Sequence, residues 1–242
     1  MKKVIFICTG NTCRSPMAAA IFKSFDLPFS VTSAGLFADG SPYCDKSVAA
    51  LSEIGIDISG GASRQFAKSD LDSDIFFCMS HSHRQTLLSL GVSDEKIICL
   101  DVSDPFGCDI DVYRSCRDEI MQKLLKYKIS VRAFEKSDAQ SVALIEKECF
   151  SKPWSENAIL ESFDSNTVFF CAENSLCEIV GYAGMQHVLD EGYVTNVAVL
   201  PQYRGFSVGT RLVEALIDYG IKNDMSFISL EVRESNNPAI SL

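Results

Sequence analysis

A thiol and a guanidinium stand at the two ends of one short loop. Cys8 and Arg14 are separated by the five residues Thr9-Gly10-Asn11-Thr12-Cys13, and Ser15-Pro16 follows. A loop of that size can curl so that its backbone N–H groups point inward at a phosphate-sized anion. Inward N–H groups, a helix N-terminus, Arg14 and the Ser15 hydroxyl all favour the thiolate, which is the nucleophilic form. Cys8 is therefore expected to attack phosphorus, with Arg14 holding two equatorial oxygens and stabilising charge in the transition state. The leaving group needs a proton. Asp104 lies on a proline-stiffened loop, Val102-Ser103-Asp104-Pro105-Phe106-Gly107, and is the expected general acid.

Other titratable residues read as structural. Asp101 is expected to be a solvated or helix-facing charge, and His81 and His83, at a helix start, to cap it or lie on the surface. Cys13 reads as a packed thiol whose nearness to Cys8 also allows a reversible disulfide protecting the nucleophile from overoxidation. The ten cysteines include no Cys-x-x-Cys pair and no His at ligand spacing, so neither a zinc site nor a disulfide framework is expected.

Positioning the loop requires strands that end, and helices that begin, at one crevice. Residues 4–8 read as a buried strand, and Ser15-Pro16 as the N-cap and N1 pair opening a helix over 17–25. Strands are expected at 29–33, 74–79 and 96–100, with helices at 45–54, 81–90 and 111–126. That alternation argues a parallel sheet covered on both faces, with ligands bound where strands end. Near residues 126–130 the pattern restarts. A strand at 131–134 and helices at 138–149 and 155–163 precede three successive strands, 168–172, 179–185 and 193–200, then a helix at 209–221 and a strand at 227–232. Two domains are expected, 1–128 and 129–242.

The stretch Cys8-Thr9-Gly10-Asn11-Thr12-Cys13-Arg14-Ser15-Pro16-Met17-Ala18, with Ser33-Ala34-Gly35 and Asp104-Pro105-Phe106-Gly107, resembles the low-molecular-weight protein tyrosine phosphatase family over about residues 3–127. The resemblance implies a flavodoxin-like four-stranded parallel sheet, a cysteinyl-phosphate intermediate, no metal or other cofactor, and Asn11 bracing the loop. Thr12 departs from the larger aliphatic residue usual in the tyrosine phosphatases and matches the protein arginine phosphatase branch. A hydroxyl there makes the pocket smaller and more polar and can hydrogen-bond a guanidinium. Phosphoarginine on a protein is the preferred substrate and phosphotyrosine the rival. Arsenate reductases share the Cys-x5-Arg loop but relay a disulfide through two further cysteines seven apart; seven residues beyond Cys78 stands Gln85, which argues against that reaction.

In the second half, Arg204-Gly205-Phe206-Ser207-Val208-Gly209 follows a strand and opens a helix, so its N–H groups could bind a pyrophosphate. From Val131 onward the chain resembles the GNAT acetyltransferases. Phe150-Ser151-Lys152-Pro153-Trp154-Ser155 and Leu230-Glu231-Val232-Arg233-Glu234-Ser235-Asn236 look like the branch that acetylates an N-terminal alanine of a ribosomal protein. The resemblance implies acetyl-CoA on the 204–209 loop, Glu231 as general base and a basic ribosomal-protein N-terminus as partner. Resembling enzymes continue past residues 237–242 through two more strands and supply a Tyr general acid one position beyond Leu242. An incomplete, truncated GNAT α/β domain is therefore expected, inactive as it stands: a remnant, an acyl-CoA-binding module, or a unit completed by another chain.

Of the net charge of −10, residues 1–128 carry 14 Lys+Arg against 16 Asp+Glu and the remainder 8 against 16. Such balances argue against sequence-independent nucleic-acid binding and leave room for a basic peptide on the second half. No long uncharged apolar run occurs, and the apolar start breaks at Thr9-Gly10-Asn11, so a cytoplasmic protein without a membrane span is expected. A phosphatase is the first function class. The alternative is a regulatory protein that holds phosphate and acetyl-CoA without turnover.

Overall fold

Four consecutive residues of β1 (Lys2–Cys8), Val4, Ile5, Phe6 and Ile7, have no exposed surface. An apolar run with no polar face belongs in a strand covered on both sides, and β1 takes the interior of a parallel sheet. A computed structural model describes residues 1–234, 236 and 240. The chain separates into two compact units, Met1–Leu125 and Lys126–Leu242.

In the first unit β1 is followed by α1 (Arg14–Lys23), β2 (Phe29–Gly35), α2 (Asp45–Ser52), β3 (Ile75–Cys78), α3 (His81–Ser89), β4 (Ile97–Cys99) and α4 (Ile110–Leu125). The sheet order is β2-β1-β3-β4, and every pair is parallel. The chain passes from β1 to β2 on one side and returns to β3 on the other, which opens a crevice at the carboxyl ends of β1 and β3. The loop after β1 lies there. Beneath it, Phe22 of α1 packs its ring 5.6–5.9 Å from those of Phe6, Phe25, Phe29 and Phe77. Truncating Phe22 to Ala would cost about 3–5 kcal/mol.

The start of α1 differs from the expected one. The helix begins at Arg14 with Cys13 at the N-cap position and no side-chain cap, so Ser15 and Pro16 already lie inside the first turn. The Ser-Pro signal is overridden because the loop runs straight into the helix, and the Ser15 hydroxyl bonds to loop side chains instead.

The second unit contains β5 (Ile129–Ala133), α5 (Ala139–Cys149), α6 (Glu156–Ser165), β6 (Thr167–Asn174), β7 (Ile179–Val188), β8 (Glu191–Val199), α7 (Val208–Lys222) and β9 (Phe227–Leu230). Its sheet runs β5-β6-β7-β8-β9, antiparallel except for β8 and β9. Pairing of β8 with β9 stops at Val194 and Leu230, leaving the last five residues of β8 without that neighbour. A carboxylate is buried in this unit: Glu146 of α5 accepts from Trp154 N at 2.7 Å, from Asn196 Nδ2 at 3.2 Å and from the Tyr182 hydroxyl. Three donors offset the cost of taking that charge out of water. The expectation about residues 237–242 falls largely on positions outside the described residues, as does Ser235.

Candidate active site

Cys8 ends β1, and its sulfur lies 3.2 Å from Asn11 N and 3.0 Å from Ser15 Oγ. The bend that brings these donors round is made at Asn11, whose φ of 54° lies in the left-handed region that Asn tolerates better than most residues. Asn11 has no exposed surface. Its Nδ2 donates to Ser15 Oγ at 2.8 Å and to Ser33 Oγ at 2.9 Å, while its Oδ1 accepts from Arg64 N at 2.8 Å. One side chain thus ties the loop to α1, β2 and the segment before β3. Gly35 backs the loop. A Cβ there would stand 2.6 Å from Thr9 O and 2.9 Å from Asn11 N, so the close approach requires glycine.

Arg14 is buried, and its NH1 donates to Val102 O at 3.1 Å. Its NH2 forms an ion pair with the Asp104 carboxylate, which also accepts from Phe106 N at 3.3 Å. A guanidinium and a carboxylate therefore meet at the far end of the loop that Cys8 opens. Thr12 is half-buried, its hydroxyl beside Gly10 and 3.6 Å from Cys13 Sγ. Cys13 is buried, its sulfur 3.5 Å from Tyr113 OH, and burial raises its thiol pKa. Cys44 Sγ lies 3.2 Å from the same hydroxyl, so the packed reading of Cys13 describes its surroundings.

His83 is where the structure departs most from expectation. Rather than capping α3 or facing solvent, its imidazole is buried, with Nε2 2.9 Å from Thr9 Oγ1 and Nδ1 2.7 Å from Ser80 Oγ. Burial, with the Arg14 charge nearby, pushes its pKa down to about 4. The N-cap of α3 is Ser80. His81 is exposed, and Asp101 is exposed as expected. Two aromatic residues were given no role in the sequence reading. Phe37 and Phe106 are 78% and 73% exposed, unusual for Phe, and Phe37 N donates to Thr9 O at 2.8 Å.

In the second unit, Gly205 and Ser207 adopt φ of 87° and 57°, and α7 begins without a side-chain cap. Phe206 and Val208 have buried side chains, Phe206 stacked 4.6 Å from Tyr127, so only their backbone can face a ligand. Arg204 Nε is bonded to Val199 O at 3.0 Å, and Glu231 is exposed just after β9. Glu146 is the polar residue here that no spacing marked. Among the described residues no helix is long and apolar enough to cross a membrane.

Comparison with known proteins finds two families along the chain. Residues 3–137 match the low molecular weight phosphotyrosine protein phosphatase family, and residues 139–242 the acetyltransferase (GNAT) family. A protein-arginine-phosphatase of Bacillus subtilis is 38% identical over 50% of this chain and 91% of its own length. A low molecular weight protein-tyrosine-phosphatase of Staphylococcus haemolyticus is 33% identical over 52% of this chain and 97% of its own. A putative [ribosomal protein bS18]-alanine N-acetyltransferase of Bacillus subtilis is 32% identical over 49% of this chain and 79% of its own. The GNAT match implies acetyl-CoA as co-substrate of the second half. The chain therefore belongs to the low molecular weight phosphotyrosine protein phosphatase family and carries, in its second half, a member of the GNAT acetyltransferase family.

Proposed function

We propose that the first unit hydrolyses phosphoarginine on proteins through a cysteinyl-phosphate intermediate. The observation that carries the mechanism is Arg14, which lies at the end of the Cys8 loop and is bonded to Asp104. An arriving phosphoryl group competes for the guanidinium, which then holds its oxygens while the loop N–H groups take the rest. Cys8 Sγ attacks phosphorus as the bond to the guanidine nitrogen breaks, and Asp104 gives that nitrogen its proton. Water then attacks the phosphocysteine, Asp104 takes the water's proton, and phosphate leaves with the thiolate restored. Thr9, Gly10, Asn11, Cys13 and Ser15 shape the loop. Thr12 supports arginine over tyrosine, since its hydroxyl narrows the entrance with a polar group, and a protein-arginine-phosphatase is among the relatives.

Kinetics on phosphoarginine and phosphotyrosine peptides test this, with Cys8→Ser and Thr12→Ile beside the wild type. The expected result is preference for phosphoarginine, reduced by Thr12→Ile, and no turnover by Cys8→Ser. Equal rates on both peptides, or a preference untouched by Thr12→Ile, would overturn the arginine reading. Undiminished turnover by Cys8→Ser would overturn the mechanism.

For the second unit the 204–209 loop fits the pyrophosphate of acetyl-CoA. Positive φ at Gly205 and Ser207 curls the backbone, a Cβ at Gly205 meets no atom within 4 Å, and α7 opens uncapped. Bound there, acetyl-CoA supplies the acetyl group, and Glu231 is the proposed base toward an N-terminal alanine amine. This unit is expected to show no turnover as it stands; acetylation of an Ala-initiated basic peptide that disappears in Glu231→Gln would overturn that expectation, and acetylation equal in both proteins would remove Glu231 from the base role.

A further inference from the structure

Spacing in the sequence offered no metal site, because the residues concerned come from two separate segments. His81 is the first residue of α3, Cys99 the last of β4, and Asp101 lies two residues beyond it. Since β3 and β4 are parallel neighbours, their carboxyl ends emerge side by side, with Cys78 and Cys99 in register. One imidazole nitrogen, one sulfur and one carboxylate oxygen then lie within 4.8 Å of one another, with His81 Nε2 3.9 Å from Asp101 Oδ2. Metal-bound donors at about 2.0–2.3 Å from a tetrahedral ion lie closer than this to each other. His81 and Asp101 are more than two-thirds exposed, so rotamer changes alone can close the gap.

The backbone beside the cluster is fixed. Asp101 has a φ of 49°, a left-handed conformation that costs an L residue energy, and Lys123 Nζ grips the loop through Leu100 O at 2.7 Å and Asp101 O at 2.8 Å. Arg84, whose charge faces Cys99, is itself paired with Asp94 at 2.5 Å. A thiolate and a carboxylate would bring two negative charges to a divalent ion, and an imidazole a neutral donor.

We infer that His81, Cys99 and Asp101 form a binding site for a zinc-class divalent ion, three protein donors with an open fourth position. The mixed nitrogen, sulfur and oxygen set selects such an ion over magnesium or calcium, which take oxygen donors. The site joins the β3–α3 and β4–α4 loops. Through Asp101 it adjoins the segment leading to Asp104, and through α3 it shares the turn that carries His83.

Cobalt(II) serves as the probe, titrated into the full chain under a non-thiol reductant and followed by its thiolate charge-transfer absorption. One ion should bind per chain. Cys99→Ser should abolish the thiolate band, and His81→Ala and Asp101→Asn should each weaken binding by about tenfold or more. Cys8→Ser should leave the band in place, which separates this site from the phosphatase loop. Circular dichroism of each variant should match the wild type. A band lost with Cys8→Ser but kept with Cys99→Ser, affinity unchanged in all three variants, or no saturable binding would each overturn the inference.

Discussion

The guanidinium of Arg14 and the carboxylate of Asp104 are bonded to each other, although 90 residues of chain separate them. In the proposed mechanism one group holds phosphate and the other protonates the leaving group. Asp104→Asn keeps the size and loses the proton. Turnover of phosphoarginine should fall by about 10²–10⁴-fold, and turnover of an aryl phosphate whose leaving group needs no proton far less. A series of aryl phosphates of rising leaving-group pKa measures the difference, and parallel losses across the series would remove Asp104 from the acid role.

Gly35→Ala is expected to disable the loop without touching a reacting atom. Its new methyl would press on Thr9 O and Asn11 N, which are backbone atoms and cannot rotate away. kcat/KM should drop at least tenfold while the sheet persists, read by steady-state kinetics beside circular dichroism.

Asn11 can be divided into its two contributions. Asn11→Gly keeps the left-handed backbone and deletes three hydrogen bonds; Asn11→Ala deletes the bonds and adds strain. Both should destabilise the first unit, Asn11→Ala by about 1 kcal/mol more, close to the cost of forcing Ala into that region. Hydrogen exchange of β1 amides gives the comparison.

His83 sets a pH dependence of known sign. Its folded pKa of about 4 lies below the unfolded value near 6.5, so the unfolded chain binds the extra proton first. Its contribution is whole above pH 6.5, declines as pH falls, and is gone below about pH 4. The loss should be on the order of 2 kcal/mol. Arg14 and Asp104 act on the imidazole in opposite directions, with Arg14 the stronger. The imidazole NMR signals should titrate near 4, and His83→Gln should flatten the stability profile of the first unit between pH 6.5 and 4.

The parallel sheet of the first unit was legible because β1 is apolar without interruption and because strands and helices alternate. Arg14 and Asp104 could be paired from the sequence because the expected phosphate chemistry asks for a clamp and an acid, and the two are bonded. His83 could not, since its bond to Thr9 spans 74 residues and a histidine at a helix start carries no mark of burial. The start of α1 was misplaced for a different reason: Ser-Pro is a strong local signal, but here the serine hydroxyl is drawn into the loop. His81 is brought to Cys99 and Asp101 only through the pairing of β3 with β4, which residue spacing along the chain does not encode.

Trp154 is the chain's single tryptophan, and its backbone N–H is fastened to the buried Glu146 carboxylate while its ring packs on the core of the second unit. Ultraviolet emission from this protein is therefore an optical tag on one half. Melting followed at the indole wavelength records the acetyltransferase-like unit, far-ultraviolet circular dichroism records both, and their difference resolves the order in which the two halves come apart without cutting the chain.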